Sequence, residues 1–183
     1  MRAFLAFDVS PEVTGRMEAA EGELKKTGAD VGLVSRENLH FTVKFLGEIS
    51  ESDVRVVDDR VGKLELSAFD VMVKGIGVFP DLHRPSVVWA GVDAADEEPI
   101  SRRGGAVLGA LDGVGKPEER EFRPHITIAR VRSPRNLDSI VSFVRENAAR
   151  EFGRTRIASL KLKSSLLTPK GPVYSDLREY VFK

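Results

Sequence analysis

Glu37-Asn38-Leu39-His40-Phe41-Thr42-Val43-Lys44-Phe45-Leu46-Gly47 and, later in the chain, Phe122-Arg123-Pro124-His125-Ile126-Thr127-Ile128-Ala129-Arg130 carry one phrase in two copies. Each copy reads His, apolar, Thr, apolar. In a β-strand, alternate side chains point to opposite faces. His40 and Thr42 therefore share one face, with Leu39, Phe41, Val43 and Phe45 on the other. His125 and Thr127 share a face in the same way, opposite Ile126 and Ile128. The apolar faces are bound for a core, which leaves each His–Thr pair on an open, polar face. A single His on a strand is more often a packed or solvated residue than a catalyst. With only three histidines in the chain, two of them in the same motif by chance would occur about once in a few hundred such chains.

Working outward, both phrases sit in the same order of elements: His strand, helix, strand, Pro-rich turn, strand. In the first copy, Ser50 caps a helix with Val54, Val57, Val61 and Leu64 inward, followed by strands over Phe69–Phe79 and Ser86–Val92. The turn-rich connection Pro80-Asp81-Leu82-His83-Arg84-Pro85 joins them. In the second, Ser133-Pro134 opens a helix with Leu137, Ile140, Val141 and Val144 inward. A long strand over about 156–168, a turn at Pro169-Lys170-Gly171-Pro172 and a strand over 173–182 follow. Ahead of the first copy, residues 2–9 read as a strand. Ser10-Pro11 then starts an amphipathic helix over 11–27, and Val31–Val34 form a short strand. Between the copies, a helix over 97–114 is weakened by Gly104-Gly105, and Gly113–Glu121 is a polar loop. Such duplication predicts an α+β fold of two pseudo-symmetric lobes, each an antiparallel sheet with helices on its outer face. The lobes enclose a central groove in which the His strands face one another. Residues 1–183 then form one bilobal domain.

Composition narrows the function. A chain of 183 residues is long enough for a substantial core, and at 42% hydrophobic and 31% charged it is globular rather than disordered. Lys+Arg and Asp+Glu both number 28, so no global basic field draws the chain to duplex nucleic acid. Cysteine is absent, which excludes disulfides and thiolate metal sites. The start Met1-Arg2-Ala3-Phe4-Leu5-Ala6-Phe7-Asp8 is too soon charged for a signal peptide. A cytoplasmic monomer is the expectation.

Two facing imidazoles suit displacement at phosphorus: one, neutral, takes a proton from the attacking oxygen, and the other, charged, gives one to the departing oxygen. Threonine is too weak a base for proton transfer. Its hydroxyl can donate to the non-bridging oxygens where charge accumulates. Zinc would need three or four ligands, and only His83, in a solvated loop, could supplement the pair. A Ser-His-Asp triad has no need of two equivalent histidines. No phosphate-binding Gly-Lys loop and no dinucleotide fingerprint occurs, and Gly75-x-Gly77 reads as a strand bulge. No metal and no cofactor are implied.

His40-Phe41-Thr42-Val43 and His125-Ile126-Thr127-Ile128 resemble the paired H-x-T-x motifs of the 2H phosphoesterase superfamily. The whole chain, including Leu167-Thr168-Pro169-Lys170-Gly171-Pro172-Val173-Tyr174, is similar to the bacterial and archaeal RNA 2′,3′-cyclic phosphodiesterases, long labelled 2′–5′ RNA ligases. The resemblance implies metal-independent hydrolysis of a terminal 2′,3′-cyclic phosphate to a 2′-phosphate, and a reverse activity joining RNA ends such as tRNA fragments. His40 is then assigned to protonating the 3′-oxygen and His125 to activating water, roles that the pseudo-symmetry would allow to be exchanged. Thr42 and Thr127 hold the phosphate, and Arg123, of the same strand parity as His125, adds positive charge. Arg130 has the opposite parity, Lys44 shares the parity of His40, and Phe45 follows the buried parity. Tyr174 and Phe79 are read as core or rim packing. Two other readings stay open: a cyclic phosphodiesterase of small nucleotides of the ADP-ribose cyclic phosphate type, and a non-catalytic module binding RNA ends.

Overall fold

The computed structural model describes residues 1–118, 121–169 and 171–183. The expected polar loop at 113–121 and turn at 169–172 therefore lie partly outside the described residues, at Glu119, Arg120 and Lys170. Among the described residues the chain forms nine strands and four helices. These are β1 (Arg2–Asp8), α1 (Pro11–Lys26), β2 (Val31–Leu33), β3 (His40–Glu48), α2 (Glu51–Gly62), β4 (Phe69–Phe79) and β5 (Val87–Val92). After them come α3 (Ala94–Ala110), β6 (Ile126–Val131), α4 (Leu137–Glu146), β7 (Glu151–Ile157), β8 (Ser159–Thr168) and β9 (Gly171–Val181). The fold is α+β, as the pattern predicts.

Local chemistry sets the boundaries. Ser50 and Asp53 close a reciprocal capping box on α2, satisfying amides that the helix leaves free. Asp93 accepts from the Ala95 amide and so starts α3 at Ala94, three residues before the expected 97. Gly104 is required in α3, because the Phe122 ring lies where its Cβ would stand. Two expected helix starts differ. Ser10 occupies the cap position of α1 but makes no side-chain cap bond. Ser133-Pro134 stays outside α4, which begins only after Asn136 in the left-handed region. The long strand expected over 156–168 is two strands broken at Ala158. β7 pairs with β4 and β8 with β1, so the chain changes sides of the sheet there.

All pairings are antiparallel, in the order β7-β4-β5-β6-β3-β1-β8-β9, with β2 also on β6. The two halves of this curled sheet meet where Phe41 of β3 pairs with Ile126 of β6. One half is β3-β1-β8-β9 and the other β7-β4-β5-β6. Each draws strands from both halves of the sequence. All four helices lie on one face. Val13, Met17 and Leu24 of α1, Val57 of α2, Ile100 of α3 and Ile140 of α4 share one core with Phe41 and Ile126. Fully burying a side chain such as Phe7, Phe41 or Ile126 contributes about 1.5–3 kcal/mol. Among the described residues the opposite face carries no helix, and the His–Thr strands open onto it.

Candidate active site

The single pairing Phe41–Ile126 fixes the site. Both side chains are fully buried on the helix side, so their strand neighbours point into the groove. In an antiparallel ladder this register sets His40 opposite Thr127 and Thr42 opposite His125. The histidines become diagonal neighbours, with backbones about 7–8 Å apart on a regular ladder. Residues distant in sequence thus present two imidazoles and two hydroxyls to one space.

The two rings are held alike. His40 Nδ1 donates to the Asn38 carbonyl at 2.7 Å, and His125 Nδ1 donates to the Arg123 carbonyl at 2.7 Å. A carbonyl can only accept, so Nδ1 carries the hydrogen in both rings, and Nε2 is the proton-transfer atom facing the groove. Each ring also has aromatic backing. Phe4 stacks on His40 at 4.9 Å between centroids, and Tyr174 meets it edge-on at 5.6 Å. Phe79 meets His125 edge-on at 4.9 Å, with Trp89 at 6.5 Å. Tyr174 and Phe79 therefore back the histidines, and Phe4 and Trp89 join them. Phe4 is buried yet lies outside the main core, covered by groove-side rings instead.

Burial pushes the His40 imidazole down to about 4. The charges of Lys163 and His125 act in the same sense, while the Asn38 carbonyl and Asp8 oppose them. His125 is lowered too, by burial and then by Arg130, against the Arg123 carbonyl. Both shifts favour the neutral ring at pH 7.

Three parity readings need correction, each at a β-bulge. Register shifts between β1 and β3 at Ala3/Phe4 and Leu5/Ala6 turn Lys44 inward. It is 4% exposed, and its ammonium donates to the Lys116 carbonyl. The same shift turns Phe45 outward, 53% exposed, beside Phe4. On β6, a shift between Val88 and Trp89 brings Arg130 opposite Val87, on the face of Trp89 and Thr127. There its charge acts on both His125 and Tyr174. Arg130 makes no ion pair among the described residues. The Arg123 side chain is exposed just ahead of β6, and its hydrogen bond to His125 runs through its carbonyl. His83 is exposed in its loop. Among the described residues no three His, Cys, Asp or Glu side chains are grouped to hold a metal ion, and no helix is long and apolar enough to cross a membrane.

The sequence reading missed a charge cluster beside His40. Lys161 and Lys163 of β8 each bridge Asp8 of β1 and Asp176 of β9, at 2.7–3.0 Å. The alternation Lys161-Leu162-Lys163 was the available signal, placing both ammonium groups on the groove face.

A groove with paired His–Thr strands on a curled antiparallel sheet defines a phosphoesterase of the two-histidine kind. The family description "LigT like Phosphoesterase" matches the chain over residues 7–89 and 96–174, one stretch around each His–Thr phrase, and the chain belongs to that family. Two relatives bear the name RNA 2′,3′-cyclic phosphodiesterase. The Aeropyrum pernix protein is 36% identical over 91% of this chain and 95% of its own length. The Archaeoglobus fulgidus protein is 33% identical over 98% and 99%. The crystal structure of TT0787 of Thermus thermophilus superposes with a TM-score of 0.78 at 26% identity, covering 100% of this chain and 98% of that one. That of E. coli LigT complexed with 3′-AMP gives 0.78 at 20% identity and shows the same fold.

Proposed function

We propose that this chain hydrolyses the 2′,3′-cyclic phosphate at an RNA end to a 2′-phosphomonoester, without metal, by acid–base catalysis between His40 and His125. The observation that carries the reading is the Phe41–Ile126 register, which turns both His–Thr pairs to one side of a single seam. The relatives' name supplies the substrate class.

Water attacks phosphorus in line with the 3′-oxygen, and the P–O3′ bond breaks. His125 Nε2 has no protein partner among the described residues, so its lone pair is free to take the proton of water. His40 Nε2 delivers a proton to O3′. The anionic diester between the rings favours imidazolium and offsets the burial that lowers His40. Thr42 and Thr127 donate to the non-bridging oxygens, with Arg130 and Arg123 adding positive charge. Exposed Phe45 offers a base a stacking surface on the His40 side. With a 5′-hydroxyl in place of water, the same groups would open the cyclic phosphate into a 2′–5′ linkage, the P–O3′ bond breaking and His40 protonating O3′ as before. The pseudo-symmetric arrangement acts as one bilobal unit, since each lobe contributes one ring.

The test is product analysis of an oligonucleotide ending in 2′,3′-cyclic phosphate, in EDTA. The expected product keeps phosphate on the 2′-hydroxyl, and His40→Ala and His125→Ala each lose about a thousandfold or more in turnover. Full turnover by either variant overturns the reading.

A further inference from the structure

The two histidines share a carbonyl support but differ in what lies behind it. Beside His125 stand the Phe79 and Trp89 rings, with the Arg130 charge acting on it. Beside His40 stands the β8–β9 hairpin, at the edge of the sheet, whose Pro172 meets the turn preceding His40. The Asn38 side-chain amide donates to the Pro172 carbonyl at the hairpin end at 3.0 Å, while the Asn38 carbonyl accepts from His40 Nδ1. One residue thus joins the hairpin to the imidazole. The hairpin also carries Tyr174, edge-on against His40. Its root is fixed by the closed ring of charges. Lys163 reaches one oxygen of Asp8 and one of Asp176 at 3.0 and 2.7 Å, and Lys161 takes the other oxygen of each at 2.9 and 2.8 Å. Asp8 is the register partner of His40 on β1.

We propose that the β8–β9 hairpin is a strap that positions His40, with Asn38 as its clasp and the Lys161–Lys163–Asp8–Asp176 ring as its anchor. Asn38 is a positioning residue, acting through the imidazole rather than on phosphate. The titratable groups facing His40 are Asp8 on β1, Lys163 on β8, Tyr174 on β9 and His125 on β6. All but His125 belong to the strap or to its anchor. Releasing the clasp lifts the Tyr174 ring and admits water to one histidine and not to the other. The inference rests on the proton-transfer role proposed for His40, but its primary readout does not need turnover.

The test is an NMR titration of both imidazoles in the intact protein and in Asn38→Ala, which keeps the carbonyl and removes only the clasp. The expected result is that the His40 midpoint rises towards that of a free imidazole while His125 stays in place. Backbone amides over residues 172–176 should exchange faster, and kcat/KM on a cyclic-phosphate oligonucleotide should fall by about tenfold to a hundredfold, the usual effect of losing a supporting partner. A His40 midpoint and residue 172–176 exchange that match the intact protein overturn the strap, whatever the activity. A shifted midpoint alongside an active His40→Ala variant leaves the strap standing and removes the catalytic reading instead.

Discussion

His40 Nε2 and Thr42 Oγ1 lie 2.9 Å apart, a hydrogen bond that His125 and Thr127 do not repeat among the described residues. With Nδ1 donating to Asn38, the neutral His40 accepts this bond at Nε2, so the threonine stabilises the uncharged ring. Thr42→Val should raise the His40 titration midpoint, whereas Thr127→Val should leave His125 where it is. Both variants should lose turnover, by about tenfold or more, if each hydroxyl holds a phosphate oxygen. NMR titration beside steady-state kinetics separates the two effects.

The pH dependence should differ between the free and the loaded groove. kcat/KM reports the unliganded protein, in which His40 sits at about 4 and His125 below its usual 6.5. One ring must be charged and the other neutral, so the profile is a bell whose descending limb lies below pH 6.5. It comes out the same whichever ring is the acid. The kcat profile should lie at higher pH, because bound phosphate favours imidazolium. A kcat/KM that is level from pH 6 to 8 contradicts this.

Acid should weaken the fold through His40. Its folded value of about 4 against 6.5 means that the unfolded chain binds the proton more readily. The stabilisation is complete above pH 6.5 and is lost as the pH falls towards 4, about 3 kcal/mol in all. Urea unfolding of the protein and of His40→Gln should run parallel above pH 6.5 and separate below it, the protein losing about 3 kcal/mol relative to the variant as the pH falls through 4.

Glu21 acts in the opposite sense. It is 4% exposed on the inner face of α1, and its Oε1 has no hydrogen-bond partner among the described residues. Burial, with Glu18 adding to it, pushes its carboxyl up to about 8 from 4.5. The folded chain holds this proton more tightly, so stability is full below pH 4.5 and declines as the pH rises to 8. Glu21→Gln should stabilise by on the order of 4 kcal/mol at pH 8 and little at pH 4, measured as the difference in unfolding free energy at the two values.

Period-two alternation was legible wherever the ladder ran unbroken. It set His40 with Thr42, and His125 with Thr127, on the correct faces. It failed beyond Val43 and Ile128, because a bulge adds a residue to one strand and exchanges the faces downstream. Nothing in Lys44-Phe45 or Ala129-Arg130 announces this, since a bulge is a property of the pair of strands. The same limit hid the break at Ala158. That residue carries no turn chemistry, and the change of partner from β4 to β1 is visible only once both are in place. The anchor ring was hidden differently, because Asp8, Lys163 and Asp176 meet across three strands that only the topology brings together. The starts of α1 and α2 were legible in Ser10-Pro11 and in the Ser50 cap, whereas the Asp93 cap of α3 was overlooked and the start of α4 is set by backbone geometry at Asn136. Lys44→Met should accordingly keep nearly full activity.

The interlacing of strands has a consequence for inheritance and engineering. β3 is joined through β1 to the late hairpin β8–β9, and β6 pairs with β5 of the early hairpin β4–β5. Severing the backbone between Val92 and Ala94 would yield two pieces, neither owning a finished half of the sheet. Each would keep one of the paired imidazoles and lose rings that shelter it, Tyr174 for His40 and Phe79 with Trp89 for His125. Mixed together, such pieces should regain structure only as a pair, so a gene cut there would encode mutual dependants rather than two small enzymes.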